Sequence, residues 1–360
     1  MKLRQLISMV MGALCLSPAA SCNAQDANVK VLAPAEFKAA VEKDANATLL
    51  DVRKPEEFAQ GHLKGATLMN WLDESAFKQQ ATTLDKSKTI YVYCRSGRRS
   101  NDAATYLAKQ GYTVVDMKGG IMAWNSAKLP TTTLETDVFT TKEGRRVEIT
   151  FIKHGTLMID VDGYVIHIDP VSTYGTDYST LPKADLILVT HEHGDHYDAK
   201  AVEQIYTDKT VFLSNGRVAE ISGKSEAMTA GQTKTIDGTN IAVTATAAYN
   251  NSPGHDKFHP KGRDVGFVIG IDNLKIDNLQ IYIAGDIEDI PELAQLKNID
   301  IAFLPVNQPY TMTPEQCIKA IKMFRPRIVY PYHFGDTDLS PIVEHFNAYD
   351  SIEVRIRPLQ

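Results

Sequence analysis

From Val31 to about Pro130, short apolar runs alternate with stretches of helical spacing. Thr48-Leu-Leu-Asp-Val, Ile90-Tyr-Val-Tyr and Tyr112-Thr-Val-Val have the length and branching of buried strands. Residues 34–42, 55–60 and 100–110 read as the helices between them. That alternation predicts a small α/β domain with a largely parallel sheet over residues 29–130. Thr131-Thr-Thr-Leu-Glu-Thr is polar and without period, and predicts a linker over 131–144. The style then changes. Val147-Glu-Ile-Thr-Phe-Ile and Leu157-Met-Ile-Asp-Val precede Asp162-Gly163 and Tyr164-Val-Ile-His-Ile-Asp, and an Asp-Gly between apolar runs is a hairpin signal. Further strands are expected at Val211, Ile241, Val265, Ile281, Ile301 and Ile328, with helices over 314–324 and 341–346. Hairpins followed by mixed strands and helices predict two sheets with helices outside, over residues 145–360.

The totals add bounds. A chain of 360 residues is long enough for two domains, each with its own core. Its 43% hydrophobic and 23% charged residues are ordinary for a soluble globular protein. A net charge of −6 without a basic stripe argues against nucleic acid as a partner. The first residues read as targeting rather than fold: Lys2 and Arg4, then an apolar stretch from Leu6 to Leu16, then Ser17-Pro-Ala-Ala-Ser before Cys22. That stretch is too short for a stable membrane span. Its end resembles a bacterial lipobox, with Ala19 where Leu is usual, so cleavage near Ala24 stays open as an alternative. Residues 1–22 are therefore expected to direct export to the periplasm or cell envelope. Membrane contact is expected only through a lipid on Cys22. Of four cysteines, Cys15 and Cys22 fall in this segment, while Cys94 and Cys317 fall in different domains, so no disulfide framework is implied.

Cys94 closes the strand Ile90-Tyr-Val-Tyr and opens Cys94-Arg95-Ser96-Gly97-Arg98-Arg99-Ser100, after which a helix starts. Successive backbone N–H groups at a helix N-terminus, with three arginines nearby, favour a thiolate and mark Cys94 as a nucleophile. An inert Cys ending a strand is the ordinary alternative, and the Gly- and Arg-rich turn argues against it. This stretch resembles the rhodanese family. The matching parts are Leu50-Asp-Val-Arg53, Glu56-Glu-Phe58, Gly61-His62, Gly65-Ala66, the Cys94 loop itself and Gly119-Gly-Ile-Met-Ala-Trp124. The resemblance implies a persulfide carried on Cys94, assisted by Arg99. It also implies a sulfane-sulfur donor such as thiosulfate or a persulfide. The loop from Cys94 to Arg99 has the six-residue length associated with sulfur transfer, where related phosphatases have one more. Asp51, Arg53 and Trp124 read as structural.

The strongest signal is Thr190-His-Glu-His-Gly-Asp-His196, placed between the apolar strand Ala184-Asp-Leu-Ile-Leu-Val and a helical stretch capped by Asp198. His191 and His193 can aim the same way, while Asp195 and His196 can address a second point nearby. Imidazole and carboxylate suit zinc and other divalent first-row ions. Asp286 and His333 each end an apolar strand, where ligands of a sheet-edge site belong. The order of these residues, with Ile168-Asp169-Pro170 upstream, resembles the metallo-β-lactamase fold. Phe258-His-Pro-Lys-Gly-Arg, Val265-Gly-Phe-Val, Ile283-Ala-Gly-Asp and Tyr332-His-Phe-Gly look most like its UlaG-like metal-dependent hydrolase branch.

That resemblance implies an αββα sandwich and two divalent metal ions, zinc first, with manganese or iron as alternatives. His191, His193 and a third histidine would hold one; Asp195, His196 and His333 the other; Asp286 would bridge. His255 and His259 compete as the third histidine, and Phe258-His259-Pro matches the branch better. His255 would then line the pocket and Asp169 orient a ligand imidazole. The expected activity is hydroxide attack on an ester, lactone, amide or phosphodiester of a small-molecule substrate. No His or Asp outside the ligand set stands out as general acid. Two alternatives stay open. An iron-dependent persulfide dioxygenase shares this fold and would be fed by Cys94. Otherwise the rhodanese-like module serves only to bind a partner.

Overall fold

The structure, a computed structural model, describes residues 29–44, 46–272, 278–347 and 351–359. The expected export segment and Cys22 lie outside the described residues. Among those described, no helix is long and apolar enough to cross a membrane.

The first domain is a five-stranded parallel sheet in the order β1-β5-β4-β2-β3. Its strands are β1 (Val29–Leu32), β2 (Thr48–Asp51), β3 (Thr67–Leu68), β4 (Thr89–Tyr93) and β5 (Thr113–Met117). Between them run α1 (Pro34–Lys43), α2 (Pro55–Ala59), α3 (Glu74–Ala81) and α4 (Arg98–Lys109), and α5 (Gly120–Ser126) follows β5. Period-two alternation sends Leu50, Ile90, Val92 and Val114 to one face, against Phe77, Ala103 and Leu107. Leu49, Tyr91, Tyr93 and Val115 go to the other face, against Phe37, Phe58 and Trp124. Both faces are covered, as a parallel sheet requires. Asp51 and Arg53 form a buried pair, with Arg53 Nε 2.9 Å from Oδ1 and Nη2 2.6 Å from Oδ2. Arg53 also donates to the Gly61 carbonyl, which fixes the segment leaving α2.

The second domain holds two seven-stranded sheets. The first comprises β6 (Thr136–Thr140), β7 (Arg146–Lys153), β8 (Thr156–Val161), β9 (Tyr164–Ile168), β10 (Leu186–Val189), β11 (Val211–Ser214) and β12 (Glu226–Ala227). The second comprises β13 (Thr233–Thr235), β14 (Ile241–Ala248), β15 (Asp264–Ile271), β16 (Leu279–Ile283), β17 (Ile301–Pro305), β18 (Ile328–Tyr332) and β19 (Glu353–Val354). One apolar cluster joins their inner faces, from Val147, Ile159 and Leu188 to Val243, Phe267 and Ile281. Outside the first sheet, Ile187 and Val189 pack on α6 (Ala199–Ile205) and on Val218 of α7 (Gly216–Ser222). The alternation within β10 thus serves both layers: Leu186 and Leu188 inward, Ile187 and Val189 outward. Helix α8 (Pro314–Phe324) adds Ala320, Ile321 and Phe324 to the core, and α9 (Ser340–Asn347) adds Ile342 and Phe346. This is the expected αββα sandwich.

The linker expectation needs correction. Within 131–144, residues 136–140 form β6, paired antiparallel with β7. Asp137 accepts from Tyr330, Arg355 and Arg357, partners supplied by the far end of the chain. The Asp162-Gly163 turn is as expected, both residues at positive φ, closing β8 onto β9 with Val161 opposite Tyr164.

Candidate metal centre and thiol loop

Strand ends gather at one edge of the sandwich. The turn after β10 carries His191, His193, Asp195 and His196, while β9 leads to Asp169, β16 to Asp286 and β18 to His333. The β7–β8 turn delivers His154 to the same edge. Three overlapping donor groups result: His191, His193 and His259; His154, Asp195, His196 and His333; and His191, His196 and Asp286. All seven residues expected as ligands are therefore brought together. His255 is not among them: its Nδ1 lies 2.7 Å from Oε1 of buried Glu288, which also accepts from the amides of Asn251 and Ser252.

Asp286 is the centre of this arrangement. Its Oδ1 lies 3.3 Å from His196 Nε2, and its Oδ2 lies 3.2 Å from His259 Nε2 and 3.4 Å from His333 Nε2. Burial opposes its ionisation, yet the imidazoles of His333 and His196 hold its carboxyl well below the usual range.

Hydrogen bonds behind the rings set their tautomers. His196 Nδ1 lies 2.8 Å from Asp169 Oδ2, and His259 Nδ1 lies 3.0 Å from Asp264 Oδ2. Asp169 also accepts from the Thr190 amide and hydroxyl, and the Thr190 oxygen lies 3.0 Å from His191 Nδ1. Arg263 clamps Asp264 at 2.7 and 2.8 Å. A ring whose Nδ1–H is donated backward presents the Nε2 lone pair forward, as metal-ligating histidines do.

The donor set fits a metal. His196 Nε2, Asp286 Oδ1 and both His333 nitrogens are buried without a hydrogen-bond partner, although buried polar atoms are almost always satisfied. The backbone bears a cost to aim them. His154, Asp169 and His333 have φ of 56°, 44° and 49°, a conformation costing on the order of 1–3 kcal/mol for such residues. At Gly155 a β-carbon would stand 2.9 Å from His196 Cε1, so only glycine lets the hairpin come this close.

The sequence patterns assign no role to His154, Asp264 or Tyr174. Tyr174 is 41% exposed, and its ring centre lies 5.3 Å from that of His154. Burial and the carboxylates of Asp195 and Asp286 push its hydroxyl up to about 12, keeping it a neutral donor at the rim. The readable signal for His154 was a histidine followed by glycine in a hairpin turn.

In the first domain Cys94 is buried, and the Gly97 amide donates to its Sγ at 3.1 Å. Gly97, at φ 100°, is the N-cap of α4. Ser100 is buried and bonds back to the Gly97 carbonyl, while Arg95, Ser96 and Arg98 are exposed. Arg99 is held by Glu57 in two bonds of 2.7 and 2.8 Å, and this pairing lowers the Glu57 carboxyl to about 2. The expected helper of the sulfur is thus paired with a carboxylate and still faces Cys94, and both partners raise its guanidinium, Glu57 the more strongly. At Gly120 a β-carbon would lie 2.4 Å from the Cys94 carbonyl oxygen, so α5 seals the loop from behind.

Residues 148–333 match the family model described as a beta-lactamase superfamily domain. The chain belongs to the beta-lactamase superfamily. Residues 33–127 match the rhodanese-like domain, so this superfamily member carries a rhodanese-like domain in front of its metallo-β-lactamase fold. A relative from Pelotomaculum thermopropionicum named UPF0173 metal-dependent hydrolase is 30% identical over 228 residues, covering 58% of this chain and 96% of the relative. A crystal structure from Parabacteroides distasonis, described as a candidate metal-dependent hydrolase, is 48% identical with a TM-score of 0.60, covering 63% of this chain and 100% of the other. Igni18, a metallo hydrolase from Ignicoccus hospitalis, is 26% identical with a TM-score of 0.50, covering 59% of this chain and 96% of its own.

The choice between His259 and His255 has a direct test. His259→Ala is expected to empty one metal position, and His255→Ala to leave metal content unchanged, as read by elemental analysis of desalted protein. The reverse pattern would show that the Glu288-bound ring is the ligand.

Proposed function

We propose that this chain is a metal-dependent hydrolase joined to a persulfide-carrying sulfurtransferase domain. The observation that carries the first half is the convergence of unsatisfied buried donors on Asp286. His191, His193 and His259 would hold one divalent ion, Asp195, His196 and His333 a second, and Asp286 would serve both. Ions bound there would polarise a carbonyl or phosphoryl oxygen and bring the pKa of water to about 7. Asp169 and Asp264 keep the rings oriented, so no reorganisation is needed when substrate arrives. Tyr174 offers a neutral hydroxyl at the rim, suited to an oxygen of a substrate ester, lactone, amide or phosphodiester. A screen of those four classes, with chelator as control, tests the proposal; turnover that survives metal removal would refute it.

For the second half, Cys94 as thiolate attacks the outer sulfur of thiosulfate. The S–S bond breaks, sulfite leaves, and a persulfide remains on Cys94. An acceptor such as cyanide takes that sulfur and restores the thiolate. The Gly97 amide is placed to donate to the anionic sulfur.

The charged start and short apolar stretch before Cys22 support export with a lipid on Cys22. Intact mass of the membrane-fraction protein should give a chain starting at Cys22 plus lipid. A chain starting at Met1 would end the export proposal, and one starting near Gln25 would keep export and remove the anchor.

A further inference from the structure

His154 is an imidazole at the site edge that the ligand division above does not use. Its Nε2 lies 3.2 Å from Asp195 Oδ2. The same oxygen lies 3.4 Å from His333 Nε2 and 3.9 Å from His196 Nε2. One donor atom from each of these four residues lies within 4.8 Å of all the others. Ligands about 2.1 Å from a common ion stand about 3.0–3.4 Å apart, so the His154 contact has the length of a coordination edge.

The backbone around His154 is built to hold it there. His154 and His333 both have positive φ, and the His333 amide donates to the His154 carbonyl at 3.3 Å. Their ring centres are 3.7 Å apart. The two strand ends are thereby tied together, and both rings turn an Nε2 toward Asp195. Gly155, next in the chain, allows His196 to lie against the same turn. The carboxylates that only orient rings here, Asp169 and Asp264, meet Nδ1. Asp195 instead meets Nε2 of His154, as it does Nε2 of His333.

We propose that His154 is itself a metal ligand, completing a position made of His154, Asp195, His196 and His333 with Asp286 as a fifth, shared donor. The two positions are then unequal. The His191–His193–His259 position has three imidazoles and the shared carboxylate, a set suited to tetrahedral zinc. The His154 position offers five protein donors, suits ions that accept five or six ligands, such as manganese or iron, and holds its ion more tightly. This inference rests on the two-ion reading in Proposed function.

The experiment uses metal-free full chain titrated with cobalt(II), followed by visible absorption and by competition with a chelator. Wild-type protein should bind two equivalents, one of them tighter and with the weaker absorption of five- or six-coordinate cobalt. His154→Ala should weaken that tight equivalent at least about tenfold and raise its absorption toward the four-coordinate form, leaving the other equivalent as it was. His154→Phe, which keeps a ring against His333 and Tyr174, should behave the same way and separates ligation from packing. If either variant folds and binds both equivalents with wild-type affinity and spectrum, His154 is not a ligand. If affinity falls while the spectrum stays unchanged, His154 only orients Asp195 and the proposal is overturned. If wild-type protein takes up fewer than two equivalents, the two-ion reading falls and takes this inference with it.

Discussion

Asp286→Asn is expected to empty both metal positions together, with apparent affinity at each falling by more than about 100-fold and hydrolysis falling with it. The reason is the reach of one side chain. Its two oxygens stand 3.2–3.4 Å from the inner nitrogens of His196, His259 and His333, drawn from three separate segments of the fold. An ionised carboxylate is acceptor-only on both oxygens, whereas an amide keeps one acceptor and turns two N–H donors toward the imidazole lone pairs. His333→Ala should behave differently. Its removal leaves Asp195, His196 and the shared carboxylate, so depletion should fall mainly on one position. Elemental analysis of the desalted variants reads both. An Asn variant that retains two ions would show that Asp286 is not shared.

Cys94→Ser should reduce thiosulfate:cyanide sulfur transfer to background while leaving metal content and hydrolysis at wild-type levels. A serine hydroxyl is neither ionised near neutral pH nor able to carry sulfane sulfur, so the transfer has no covalent carrier. The fold should survive, because the site accepts an atom of similar size, and the contacts sealing the loop are to backbone. The Ile121 amide donates to the Cys94 carbonyl at 2.9 Å. Full sulfur transfer by this variant would remove Cys94 from the mechanism. Loss of metal in the same variant would show that the two domains depend on one another structurally.

The periodic parts of the chain were the legible ones. Strands β2, β4, β10 and β16 announce themselves because each is a short branched apolar run with a covered face on both sides, and the His191–His196 turn because so many ligand types share so few positions. Strand β6 was missed because its strand character is not local. It comes from pairing with β7 and from Asp137, whose partners Arg355 and Arg357 lie more than two hundred residues onward. His154 was missed for a related reason. A histidine before a glycine is unremarkable until the hairpin is laid beside β10 and β18, and only then does the ring face Asp195. Asp264 falls between the Phe258–Arg263 stretch and the strand expected at Val265, although its carboxylate fixes His259. Side chains that act through a neighbour carry no period and no motif, so they become visible only when the sheets are assembled.

The central claim is that this edge holds two divalent ions for hydrolysis, and metal content combined with oxygen consumption tests it most directly. Purified, desalted protein should carry close to two equivalents of zinc or another divalent ion and consume no oxygen with glutathione persulfide. A single iron per chain, with oxygen uptake on that persulfide, would contradict the account and make the chain a persulfide dioxygenase.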